Sequence, residues 1–236
     1  NLRQELRVLS FFSGIMDVLS GIMSVFLDYC YQFTHMVGYP SYGIAIILLT
    51  VIIKLILAPL TAKQIRSMEG MQKIQPKVKE LQKKYKGDQR KMQMALQKLY
   101  KEEKVSPFSG CLPILIQMPF LISIFYALRE YPYDEAYRSF LWMPSLGDAD
   151  PTYILPILSA ISTFAIQKQM SGAQVAMNEA QAKQQKIMQI VMPLFIGWIS
   201  ISFPSGLVIY WVVSNVFQWL QQIIMFRGKK KGAANA

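Results

Sequence analysis

Residues 41–60 read SYGIAIILLTVIIKLILAPL, an apolar run broken by a single charge, Lys54. A bilayer core about 30 Å thick takes about 20 apolar residues of helix, so this run has the length of one membrane span. Lys54 lies about 20 Å from the start of that span at about 1.5 Å per residue. A lysine at the centre of a spanning helix costs about 2.5–3.5 kcal/mol to insert, and such residues usually face a partner or a wet cavity. Snorkelling of the side chain toward headgroups is the simpler alternative. About two turns of apolar helix, residues 55–60, stand in its way.

Moving outward, residues 105–128 carry no charge, and a third apolar stretch begins at the Asp150-Pro151 pair. Residues 187–226 also lack any charge, at about twice the length of one span. That stretch must turn, and Phe203-Pro204-Ser205-Gly206 supplies the turn chemistry. The expected class is an all-α integral membrane protein with five spans, at 41–61, 105–128, 151–168, 187–203 and 205–226. The composition agrees: of 236 residues, 53% are hydrophobic and only 17% charged, with a net charge of +11. A soluble domain needs more polar surface than that. A nucleic-acid reading of the basic excess needs a soluble basic face, for which little chain remains.

The links orient the spans. Residues 62–104 are strongly basic, with 13 Lys and Arg against 5 Asp and Glu. In the 129–150 loop the balance reverses: Arg129 and Arg138 face Glu130, Asp134, Glu135, Asp148 and Asp150. The 169–186 link is basic again, as is the 227–236 tail with Arg227, Lys229, Lys230 and Lys231. By the positive-inside rule the N-terminus is outside and the C-terminus cytoplasmic.

The first forty residues differ. Asp17, Ser20, Ser24 and Asp28 recur on one helical face, and Phe12, Ile15, Leu19, Ile22 and Phe26 on another. Two aspartates argue against a further span, so an amphipathic helix along the outer leaflet is expected, or one capping the bundle from outside. The chain opens at Asn1 rather than Met, which reads as a mature or trimmed form.

In the basic 62–104 link, Ile74, Val78, Leu81 and Tyr85 share one seam, and Met92, Leu96 and Leu99 another. Lys86-Gly87-Asp88 separates them, so two short amphipathic helices are expected to fold back as a hairpin. Pro76 is expected to break or kink the helix leaving the first span. Most of the 14 methionines read as core filling, although Met68, Met71, Met92 and Met94 cluster where a partner-binding surface would also use them.

The chemistry points away from an enzyme. No GxSxG, HExxH or Walker motif occurs, and no span contains a carboxylate. His35 is the sole histidine, and Cys30 and Cys111 read as two inert thiols, so neither a metal nor a cofactor is expected. What can meet Lys54 is neutral: Gln117, Gln167, Tyr210, Trp211, Asn215 and Gln218. Each alone reads as an interhelical hydrogen bond. Together with an uncompensated cation they suggest a hydrated, net-positive cavity opening to the cytoplasm. Pro113, Pro119, Pro156, Pro193 and Pro204, with Gly110, Gly197 and Gly206, read either as ordinary kinks or as points of flexure.

Four blocks then carry a resemblance: APLTAKQIRSMEGMQKIQPKVKELQKKY at 58–85, LYKEEKVSPFSGCLPILIQMPFLISIFYAL at 99–128, DPTYILPIL at 150–158 and FPSGLVIYWVVSN at 203–215. In order and spacing they resemble the YidC/Oxa/Alb membrane-protein insertases. The resemblance implies five core spans, a cytoplasmic hairpin, an outer amphipathic helix, and a hydrophilic groove open to cytoplasm and lipid. Lys54 aligns with the groove cation, typically an arginine, which differs from lysine in donor geometry. Gln117, Gln167, Trp211 and Asn215 fall at polar or aromatic groove positions, with Tyr210 and Gln218 beside them. Lys73, Lys77, Lys83, Lys84, Arg90 and Lys91 of the hairpin are candidates for recruiting client or ribosome. The implied partners are nascent membrane proteins with one or two spans, the Sec translocon, the ribosome and the bilayer of the bacterial plasma membrane, with no specific nucleic-acid sequence. The large extracytoplasmic domain of Gram-negative members is lacking, and the short tail argues against extensive ribosome binding. A rival reading is a small-solute channel or transporter with an intramembrane anion site at Lys54; it calls for an internal repeat, and none is visible.

Overall fold

The computed structural model describes residues 2–106, 112–129, 131–170 and 179–234. Gly110, Cys111, Glu130 and much of the 169–186 link fall outside the described residues. The described chain is all helical: α1 (Leu2–Met36), α2 (Tyr42–Lys84), α3 (Gln89–Glu102), α4 (Leu112–Arg129), α5 (Ile154–Met170), α6 (Glu179–Ser200) and α7 (Ser205–Ala234). An isolated bridge between Phe140 and Met143 is the sole strand-like pairing among the described residues.

Among the described residues, three helices are long and apolar enough to cross a membrane: Gly14–Met36 within α1, α2, and Ser205–Met225 within α7. Lys186–Ser200 in α6 is a shorter apolar helix. Large apolar side chains point outward along α5, α6 and α7, among them Ile157, Ile161, Leu194, Trp198 and Ile224, as a lipid-facing surface requires.

The chain forms two compact units. The first comprises Asn1–Leu55, Ile114–Ser159 and Ile196–Ser214. In it α1 buries Met23, Leu27, Cys30 and Thr34, which recur at helical spacing on a face distinct from the two legible in the sequence. The Cys30 thiol is free and buried. By length and composition alone Gly14–Met36 meets the requirement for crossing, although it contains Asp17 and Asp28. Asp28 is no bare charge, because the Tyr131 hydroxyl donates to it.

Tyrosines tie this unit together. Tyr31 stacks on Tyr42 with centroids 3.9 Å apart, and Tyr131 and Tyr133 meet Tyr42 edge-on. The start of α7 is held by loop carbonyls: Ser205 N–H donates to Asp148 O at 2.7 Å and Gly206 N–H to Leu146 O at 2.9 Å. These bonds satisfy amides that a helix N-terminus leaves without intrahelical partners. Asp150 does the same for α5, accepting from the N–H and hydroxyl of Thr152 at 3.0 and 2.7 Å and from Leu155 N–H at 2.7 Å. Ser159 and Ser200 meet at 3.0 Å, small residues that let α5 and α6 approach closely.

The second unit comprises Ile56–Pro113, Ala160–Phe195 and Asn215–Ala236. Here α2 continues through Pro59 and Pro76, so of the break or kink expected at Pro76 the break does not occur. An interior proline removes one helix bond and costs about 3 kcal/mol. Burial of Ile74 and Val78 on either side offsets that cost, since a fully buried aliphatic side chain contributes about 1.5–3 kcal/mol. The hairpin is therefore the far end of one long helix folded against α3. Gly87, at φ +99°, makes the reversal, and Asp88 caps α3 by accepting from Lys91 N–H at 3.0 Å.

The hairpin core is Met68, Met71, Ile74, Val78, Met92, Leu96, Leu99 and Tyr100, and it also takes in Ile166 and Met170 of α5. The seams legible in the sequence are thus real, but they close on α5 as well as on each other. Met94 is exposed, so it stands outside this core.

Candidate functional site

Lys54 occupies a face of α2 whose neighbours Thr50 and Ile53 are also buried; the residue itself is only 7% exposed. Its ammonium donates to Gln117 Oε1 of α4 at 2.9 Å. The same amide turns its Nε2 to the hydroxyl of Tyr210 on α7, a side chain 1% exposed. The result is a relay of cation, amide and phenol from three helices of the first unit.

No carboxylate pairs with Lys54 among the described residues. Magnitudes explain how the charge is tolerated. A hydrogen bond to a charged group contributes about 1.5–3 kcal/mol, close to the insertion cost of about 2.5–3.5 kcal/mol. Gln117 therefore offsets most of the cost while leaving the positive charge uncancelled. An ammonium has three donors, and the amide takes one.

Asn215 donates its Nδ2 to Ser162 at 3.1 Å and Thr163 at 3.2 Å, joining α7 to α5 within the second unit. Gln167, Trp211 and Gln218 are half-buried.

On the hairpin, Lys73, Lys77, Lys83, Lys84, Arg90 and Lys91 are all exposed. Lys77 bonds Glu103, which pushes its ammonium above the ordinary lysine value. Lys91 pairs with Asp88 at 3.1 Å, and its N–H holds that carboxyl below the ordinary range. Lys84 lies over the Tyr85 ring at 5.6 Å. Lys73, Lys83 and Arg90 form no ion pair among the described residues and present uncompensated charge.

Sequence reasoning passed over Gln64 and Gln222, which are 5% and 1% exposed. Glutamines near the ends of spans ordinarily meet headgroups. The three- and four-residue spacing of Asn215, Gln218 and Gln222 is the signal that could have set Gln222 on the same face as Asn215.

Comparison with known proteins places this architecture. The family described as 60Kd inner membrane protein matches residues 32–232. A membrane protein insertase YidC of Caldanaerobacter subterraneus subsp. tengcongensis is 46% identical over 196 residues, covering 83% of this chain and 89% of the relative. The YidC insertase of Clostridium perfringens is 44% identical over 201 residues, covering 81% and 82%. That of Haemophilus influenzae is 44% identical over 193 residues, but this chain spans only 35% of its length. A crystal structure of an active YidC insertase with its first transmembrane domain resolved superposes with a TM-score of 0.63 at 29% identity, covering 86% of this chain and 45% of that one. The chain belongs to the 60Kd inner membrane protein family, the family of the YidC membrane protein insertases.

Proposed function

We propose that this protein inserts nascent membrane proteins into the bacterial inner membrane without ATP or a cofactor. The carrying observation is 46% identity over nearly the full length of a compact YidC insertase. The Lys54–Gln117–Tyr210 relay supports it, because a buried cation held by neutral groups keeps its attraction for acidic residues of an entering chain. In this reading five spans form the core, with the N-terminus outside, the C-terminus inside and α1 at the outer surface. The contact of Asp28 with Tyr131 of the acidic loop supports that location for α1.

The exposed cations Lys73, Lys83 and Arg90 of the hairpin, with Lys77, Lys84 and Lys91, draw in the client and, in co-translational insertion, the ribosome. Lys54, with Gln117, Tyr210 and Trp211, then lowers the cost of bringing an acidic flank partway across the membrane. Gln167, Asn215 and Gln218 line the polar route on α5 and α7. The client's apolar segment passes between α5 and α7 into lipid, driven by transfer of about 0.8 kcal/mol per buried CH₂. Clients with one or two spans and a short translocated flank fit this scheme, with the protein acting alone or beside the Sec translocon.

Depleting the protein in cells and mapping a small two-span client by protease protection tests the proposal. Loss of the protected fragment is expected. Normal insertion after depletion would overturn it.

A further inference from the structure

Three glutamines without a role in this scheme lie in the second unit with amide atoms that the protein leaves unmatched. Gln222 of α7 is 1% exposed, and among the described residues neither its Oε1 nor its Nε2 has a partner. Gln64 of α2 is 5% exposed with an unmatched Nε2, and Gln169 of α5 has a buried, unmatched Oε1.

Register brings them to one seam. On α7, Asn215, Gln218 and Gln222 share a face, and Asn215 reaches Ser162 and Thr163 of α5. On α5, Ile166, Gln169 and Met170 continue that face inward, and Ile166 and Met170 pack with Met68 and Met71 of α2. Gln64 precedes Met68 by one helical turn on α2. Gln221, adjacent to Gln222, donates to Ala58 O of α2 at 3.2 Å. The α2/α5/α7 seam therefore begins with satisfied hydrogen bonds and continues into amides that have none.

A buried amide without a partner destabilises the arrangement that buries it. Parting the helices lets those groups regain bonds, so the closed seam carries a cost that opening removes. An amide offers one acceptor and two donors, the complement of a peptide C=O and N–H. Being neutral, it pairs with any main chain regardless of side-chain sequence. We propose that the Gln64–Gln169–Gln222 seam is a gate poised to part and to hold the main chain of an entering polypeptide through its amides. The identity of that polypeptide rests on the insertion reading above; the energetics of the closed seam do not.

The test compares full-length protein with the Gln222→Leu variant, in detergent micelles and in vesicles of phosphatidylethanolamine and phosphatidylglycerol. Leucine removes the unmatched amide, so the thermal midpoint is expected to rise by about 2–4 °C. Amide hydrogen exchange over residues 160–170 and 215–225 is expected to slow about threefold. Insertion of a radiolabelled single-span test protein should fall by about the same factor, because the gate opens less often. A lowered midpoint would mean that the Gln222 amide is already paired when the seam is closed, which overturns the gate. A raised midpoint with unchanged exchange or unchanged insertion overturns it too. Gln222→Met and Gln64→Leu carry the same test should Gln222→Leu fail to accumulate. If the unmodified protein inserts no test protein, the insertion reading falls, while melting and exchange still decide the seam.

Discussion

Lys54 and Gln117 form a charged hydrogen bond of 2.9 Å in which the acceptor is neutral. The charge and the bond can therefore be separated experimentally. Gln117→Glu would keep the acceptor and cancel the charge, whereas Lys54→Ala would remove both. Both variants should reduce insertion of a client with an acidic translocated flank, and Lys54→Arg should be tolerated. Full activity of Gln117→Glu and Lys54→Ala in a reconstituted insertion assay would reduce Lys54 to a positional anchor. Gln117→Leu should lower stability by about 1.5–3 kcal/mol, since it strands the ammonium.

Gly43 admits no side chain. A Cβ there would lie 2.1 Å from Phe140 Cγ, so the start of α2 and the acidic loop touch through backbone and ring. Gly43→Ala should cost about 1–3 kcal/mol by overpacking. The double variant Gly43→Ala/Phe140→Ala should recover part of that loss. Thermal melting of the four proteins checks the coupling, and additive losses would contradict it.

Asp150 links stability to pH. Burial pushes its carboxyl up, but the Leu155 N–H and the Thr152 hydroxyl and N–H outweigh burial and hold it below the ordinary value. A carboxyl depressed in the folded state stabilises above its unfolded value, about 4, and loses that contribution as pH falls through the folded value. Asp150→Ala should cost about 1 kcal/mol at neutral pH through loss of the cap. The deficit should shrink as the acid melting series descends below about pH 4.

Lys104 follows the end of α3 with φ 53°, a left-handed conformation that glycine adopts without steric cost. Lys104→Gly should stabilise the hairpin by up to about 1 kcal/mol. Slower proteolysis between residues 85 and 105 would report it.

Much of this was legible because membranes impose simple rules. Lys54 stood out against an apolar run, and the lack of carboxylates left amides and aromatics as its only candidate partners; Gln117 meets it, and Tyr210 meets Gln117 in turn. Which two of six could not be read, because the choice depends on helix rotation and packing rather than on spacing along the chain. Asn215 illustrates the limit, since its chemistry suits a groove while its neighbours are Ser162 and Thr163. Pro76 failed as a helix breaker because local propensity was outweighed by buried contacts on both sides. Gln64 and Gln222 were missed because burial depends on how helices pack together, which no single segment reveals.

The hairpin core holds Met68, Met71 and Met92 in near-complete burial, whereas Met94 on the same hairpin is 56% exposed. Oxidation to the sulfoxide makes a thioether polar and disrupts the packing of a core that contains it. Met94 can thus take up oxidant at the surface with little structural consequence. The three buried sulfurs become reachable only when the helices that share this core, α2, α3 and α5, separate. Their rate of sulfoxide formation relative to Met94 is then a chemical clock for that separation, readable by mass spectrometry in living cells under peroxide stress.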